Sequence, residues 1–120
     1  MIKNKSGAWG EVLTARYLRD NKYHILTTNY ICHFGEVDII AEKGGILHFV
    51  EVKTRDESSE TRPADAVDDF KQNRIMLTAN HFMTVTGRES TAVFDVCEVL
   101  LDSDYKPVNI NYISNAFEAN

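Results

Sequence analysis

The stretch Gly35-Glu36-Val37-Asp38-Ile39-Ile40-Ala41-Glu42-Lys43-Gly44-Gly45-Ile46-Leu47-His48-Phe49-Val50-Glu51-Val52-Lys53 reads as two strands, Glu36 to Glu42 and Ile46 to Lys53, joined by a tight turn. Strand side chains alternate, so Glu36 and Asp38 share a face, and so do Glu51 and Lys53. If Gly44-Gly45 is a two-residue loop, Lys43 pairs with Ile46. Asp38 then stands opposite Glu51, and Glu36 opposite Lys53. A four-residue loop centred on the same glycines keeps this register, whereas an odd loop breaks it. Opposed side chains lie about 4.5–5.5 Å apart at Cβ.

Two carboxylates at that separation repel unless something neutralises them. A hard divalent cation does so, and oxygen ligands suit Mg²⁺ or Mn²⁺. With Lys53 on the same face, the set matches what phosphodiester hydrolysis needs: a cation to generate the nucleophile and positive charge for the phosphate. The same residues also fit a solvated hairpin face, with Glu36 and Lys53 as an exposed ion pair. Val37, Ile39, Ile40, Phe49, Val50 and Val52 crowd the acids on both faces, which points to a buried hairpin.

Upstream, a helical pattern opens at Ser6 or Gly7 and stops at Asn21-Lys22. Ala8, Val12, Ala15 and Leu18 form one apolar stripe; Trp9, Leu13 and Tyr17 form a second. Glu11 falls inside the first stripe. Small Ala8 and Ala15 beside it would let the helix approach the hairpin; a half-buried stripe with Glu11 reaching solvent is the alternative. Tyr23 to Cys32 reads as a strand. Downstream, Thr54 to Ala64 reads as a mobile loop carrying Arg55 and Arg62. A second helix is expected over Asp65 to Val85, with Asp65, Asp68 and Asp69 at its start and Thr86-Gly87 at its end. Thr91 to Leu101 is a further strand, Asp102 to Pro107 a turn, Val108 to Ile113 a short edge strand, and Ser114 to Asn120 a tail. The order α-β-β-β-α-β-β makes a mixed α/β sandwich, helices covering a small sheet.

The chain has 120 residues, enough for one domain spanning 1–120. It carries 13 Lys and Arg against 18 Asp and Glu, a net charge of −5. The whole excess of acid lies after residue 62. Nucleic-acid binders are usually basic, so any phosphate contact here must be local or run through a bound cation. No apolar run approaches the roughly 20 residues needed to cross a bilayer, so no membrane partner is expected. The N-terminus shows no secretory pattern, and Cys32 and Cys97 lack metal-ligand spacing. The expectation is two buried thiols in a reducing cytoplasm.

Together these features resemble the PD-(D/E)XK nuclease signature: Asp38, then Glu51-Val52-Lys53, with Glu11 upstream. The wider pattern resembles the YraN-like uncharacterised proteins, related to Holliday-junction resolvases. Gly10-Glu11, Gly35 to Ala41, Phe49 to Arg55, Lys71-Gln72 with Arg74, Phe94-Asp95-Val96 and Asn115-Ala116-Phe117 carry the likeness. It implies a restriction-endonuclease-like fold, a small mixed sheet flanked by helices with core order α-β-β-β-α-β. It implies Asp38 and Glu51 as ligands of Mg²⁺ or Mn²⁺, Lys53 as the catalytic lysine and Glu11 as an accessory acid. It further implies action on DNA, branched or single-stranded, and raises a homodimer as an expected assembly. Val37 stands where proline would precede the first acid.

Lys71, Arg74, Thr78 and His81 follow one stripe of the second helix. The likeness makes Lys71 and Arg74, with Arg55, candidates for contact with nucleic acid, while Thr78 and His81 read as a solvated face. Gln72 faces Ile75, Ala79 and Met83, as a buried hydrogen-bonding group or a reach into the site. Asp95, between Phe94 and Val96, suits a structural hydrogen bond, and the four histidines lack zinc spacing. Three functions compete: a metal-dependent nuclease, a module of the same fold that binds nucleic acid or protein without cutting, and a plain interaction domain with surface acids. Burial of Asp38 and Glu51 separates the third from the others.

Overall fold

Gly44 and Gly45 take φ of 58° and 78°. That double left-handed conformation makes the two-residue turn expected of the hairpin, and Lys43 pairs with Ile46. The computed structural model describes residues 4–57 and 67–118. Around the hairpin it forms α1 (Lys5–Asp20), β1 (His24–Cys32), β2 (Gly35–Lys43), β3 (Ile46–Asp56), α2 (Asp69–Thr86), β4 (Thr91–Leu101) and β5 (Pro107–Phe117). One five-stranded sheet runs in the order β1-β2-β3-β4-β5. Only β3 and β4 are parallel, and α2 lies in the connection between them.

Each sheet face has its own core. Phe49, Ile40, Leu47, Phe94 and Val96 pack under Ile75, Ala79 and Phe82 of α2. Ile39, Ala41, Val50, Cys97 and Val99 pack under Leu13, Ala15 and Leu18 of α1. Because both faces are covered, β2 and β3 show near-continuous burial rather than simple alternation. The architecture is a small restriction-endonuclease-like α/β fold. Among the described residues no helix is long and apolar enough to cross a membrane.

Helix ends follow local chemistry. Asn4 caps α1, its Oδ1 accepting from Gly7 N–H at 2.7 Å, and Lys22 takes φ 71° after the stop at Asn21. Asp68 caps α2 by accepting from Lys71 N–H at 2.8 Å, and Gly87 ends it in the left-handed region. The second helix therefore starts at Asp69 rather than Asp65, which lies outside the described residues.

Thr54 to Asp56 continue β3 instead of opening a loop, because Val99, Leu100 and Leu101 of β4 pair with them. The rest of that expected loop from residue 58 on, with Arg62, lies outside the described residues. The last strand is no short edge piece: β5 runs to Phe117, whose ring stacks on Phe94 at 5.3 Å. In α1, Ala8 and Val12 are exposed, and the buried face runs through Gly10, Glu11, Leu13, Thr14, Ala15 and Leu18. Both cysteines are free thiols; Cys97 is buried, and Cys32 is only partly so.

Candidate active site

The β2–β3 ladder ends at Ile39–Val50, one step short of the acids. Beyond it the strands part, and a side chain takes over from the backbone. Asp38 Oδ2 accepts the Val52 N–H at 2.8 Å. The expected opposition of Asp38 and Glu51 survives as proximity of the two side chains, close enough for Asp38 to raise the Glu51 carboxyl's pKa. The expected Glu36–Lys53 pairing does not form, because the ladder has already ended; Glu36 pairs with Ile31 of β1 instead.

Asp38 is 3% exposed and Glu51 7%. Acids this deep are not surface decoration, so the reading as a plain domain with surface acids falls. Burial, then the Asp38 hydrogen bond and charge, push the Glu51 carboxyl up to about 8. Lys53 and Lys71 oppose that shift. Burial, then Lys71, bring the Lys53 ammonium down to about 8. On Lys71 burial acts downward, but contact with Lys53 and the Glu51 and Asp38 charges outweigh it and hold the ammonium high. Lys71 Nζ lies 3.6 Å from Glu51 Oε1, so α2 delivers a cation to the acid pair.

Glu11 arrives from the other face. A Cβ at Gly10 would lie 1.9 Å from Thr54 Oγ1, so only glycine lets α1 sit this close to the end of β3. The close approach is thus made at Gly10, not at the exposed Ala8. Glu11 is 8% exposed and lines, with Val52, Lys53, Thr54 and Arg55, a cavity of about 260 Å³ beside the first turn of α1. Among the described residues no three acidic, histidine or cysteine side chains gather as a ready cation cage. The arrangement is an acid pair with Glu11 across the Lys53 cavity. Among the described residues Thr54 Oγ1 and Arg55 Nε are buried without a hydrogen-bond partner.

Of the helical stripe, Lys71 reaches the site, and Arg74 lies over the Phe70 ring, 5.7 Å from its centroid. Thr78 and His81 are not a solvated face. Thr78 is fully buried, and His81 Nδ1 hydrogen-bonds the Tyr30 hydroxyl at 2.6 Å. Gln72 Nε2 donates to Val67 O at 2.9 Å, a structural tie. Asp95 accepts from Tyr112 Oη and Asn115 N–H and meets His48 Nδ1 at 2.6 Å, the structural role expected of it. What the sequence reading missed is the Lys71–Glu51 contact and the reason for Gly10. A glycine interrupting a helical pattern one residue before an inward acid was the available signal.

Comparison with known proteins gives the family. A model of the uncharacterised protein family UPF0102 matches residues 10–99. The chain belongs to this family. A UPF0102 protein of Alkaliphilus metalliredigens is 42% identical over 112 residues, covering 92% of this chain and 96% of the relative. One from Clostridium perfringens is 39% identical over 116 residues, covering 95% of each. A third, from Geobacter sulfurreducens, is 42% identical over 113 residues, covering 93% and 88%. The UPF0102 match contains Gly10, Glu11, Asp38, Glu51, Lys53, Lys71 and Arg74, while Trp9 and Tyr105 fall outside it.

Proposed function

We propose that the chain is a divalent-metal-dependent nuclease of the PD-(D/E)XK type, akin to Holliday-junction resolvases, hydrolysing DNA phosphodiester bonds. The observation that carries this reading is the buried Asp38–Glu51 contact with Lys53 and Lys71 beside it. Two neighbouring buried carboxyls are relieved by a shared proton or by a bound cation, and an all-oxygen donor pair suits Mg²⁺ or Mn²⁺. Asp38 and Glu51 would hold the ion, with Glu11 as the accessory acid. A bound divalent ion supplies Lewis-acid charge to a phosphate and lowers the pKa of water.

The protein's own groups supply the rest. Asp38 is oriented by the Val52 N–H, which its Oδ2 accepts at 2.8 Å. Lys53, brought down to about 8, is poised to hold a water or to neutralise charge growing on the scissile phosphate. Lys71, 3.6 Å from Glu51 Oε1, holds a positive charge against that carboxyl. Arg55, Lys71 and Arg74 offer local positive charge to a backbone that the net charge of −5 would otherwise repel.

A second reading, a module that binds DNA or protein without cutting, rests on the Lys71–Glu51 contact, an internal counter-ion that makes a metal dispensable for stability. Incubation with labelled single-stranded, duplex and four-way-junction DNA separates the two. Cleavage with Mg²⁺ or Mn²⁺ that stops in EDTA and in Glu51→Gln supports the nuclease. Binding without cleavage under every condition supports the module. Sedimentation of the same mixtures reports the assembly, a homodimer being the form that the resolvase likeness leads us to expect.

A further inference from the structure

Away from the acid–lysine cluster, Lys5, Ala8, Trp9, Val12 and Tyr105 line an open groove of about 430 Å³ on the outer side of α1. Its floor is hydrocarbon and aromatic, and its rim is cationic. Lys5 Nζ lies 5.3 Å from the Tyr105 ring centroid, and the Arg16 guanidinium 5.4 Å from that of Trp9. Arg16 and Arg19 line the adjoining hollow with Ala8 and Val12, where Glu11 is the one acid among the described residues.

Tyr105 is held there against its backbone preference. It takes φ 62°, an outlier for a bulky side chain. Trp9 Nε1 donates to Tyr105 O at 2.9 Å. Asp102 Oδ1 accepts from Asp104 N–H and Lys106 N–H at 2.8 and 2.9 Å. The turn thus uses its hydrogen bonds to present an exposed ring beside α1. The groove also connects to the candidate active site. Ser6, Thr54 and Arg55 line both the Lys53 cavity and a second one that reaches Tyr105. Asp56 and Asp102 line that second cavity too, so its cationic share falls to Arg55.

We propose that the Trp9–Tyr105 groove is a stacking site for unpaired bases of a single DNA strand that runs on past Arg55 toward Lys53. The direction of that track rests on the nuclease reading; the groove itself does not. Bases offer flat π-faces to aromatic rings, and phosphates match the cations at the rim. A duplex hides those faces within its stack, so the groove favours unpaired strands or frayed ends. Cations on the rim favour a polyanion over an apolar protein segment.

Trp9 is the only tryptophan in the sequence, so intrinsic fluorescence reads the groove directly. The test titrates the full chain in EDTA with a short oligothymidylate and with a blunt duplex of equal length. The single strand should quench Trp9 saturably and the duplex far less. Tyr105→Asn tolerates the left-handed backbone and keeps the carbonyl that Trp9 uses, yet it should weaken binding about 10-fold. Arg16→Gln should lower the salt slope by about 0.7. Equal quenching by duplex, no quenching at all, or wild-type affinity in Tyr105→Asn overturns the proposal. Binding of an apolar dye with no response to oligothymidylate also overturns it and marks the groove as a protein contact. Because binding is read without metal, the two readings fail separately. Metal-dependent cleavage without quenching removes the groove alone, and quenching without cleavage removes the nuclease alone.

Discussion

The Asp38 carboxylate accepts the Val52 backbone N–H at 2.8 Å just where the β2–β3 ladder has stopped. A strand separation would ordinarily leave that N–H to water. Here it is satisfied by one of the two acids that form the candidate site, so the backbone defect and the site are the same feature.

The sharpest catalytic test is Lys53→Ala. Under single-turnover conditions cleavage should fall about 10²–10³-fold. DNA binding should hold, and metal binding should hold or tighten slightly, because a neighbouring positive charge has gone. Wild-type rates in this variant would reduce Lys53 to a charge partner of Glu51.

Metal should stabilise the fold, because only the folded chain brings Asp38 and Glu51 together. Thermal unfolding with and without Mg²⁺ or Mn²⁺ reads this directly. In Asp38→Asn the metal-induced rise in Tm should vanish while the metal-free Tm stays level or rises. The amide oxygen can still accept Val52 N–H, and the acid–acid repulsion is gone. An unchanged metal response would place the ion elsewhere.

Stability without metal should depend on pH in two limbs. Glu51 binds its proton more tightly folded, about 8, than unfolded, 4.5, so its contribution is lost as pH rises between those values. Lys53 binds its proton less tightly folded, about 8, than unfolded, 10.5, so stability recovers between about 8 and 10.5. Urea unfolding across this range should show a minimum near pH 8. Glu51→Gln should flatten the lower limb, and a lower limb that persists in that variant would move its origin to another group.

Gly10→Ala should destabilise the chain despite the roughly 1 kcal/mol that alanine gains in a helix. The new Cβ would collide with Thr54, and overpacking of this kind costs about 1–3 kcal/mol. Thr54→Ala should recover much of the loss, and a double-mutant cycle measures the coupling. Strictly additive effects would show that α1 does not rest on Thr54.

Asp95→Ala should cost about 3 kcal/mol, because it orphans His48, Tyr112 and the Asn115 N–H together. Amide exchange should rise first in β5, which these bonds tie to β4. Uniform loss of protection throughout the sheet would instead make Asp95 a general core residue.

Much of this protein is written locally. Gly44-Gly45 tolerate the left-handed backbone that a two-residue turn needs, and that turn sets Lys43 opposite Ile46. Helix stops at Asn21 and Gly87 and the full extent of β4 are likewise properties of neighbouring residues. Alternation along β3 placed Glu51 and Lys53 together, whereas the helical stripe left Glu11 open between burial and solvent, and the approach of α1 to β3 at Gly10 decided it.

Tertiary structure decided what depends on distant partners. The polar end of β5 has no strong strand pattern, and it is held by Phe94 and Asp95 from another strand. Thr54 to Asp56 look like a charged loop until β4 pairs with them. Lys71 becomes part of the site only because α2 crosses over the split between β2 and β3. Trp9 and Tyr105, 96 positions apart, meet only because β4 returns parallel to β3 beneath α1. A sequence states which side chains are available and which local shapes they permit. Which of them share a desolvated volume, and so shift one another's protonation, is set by packing between elements far apart in the chain.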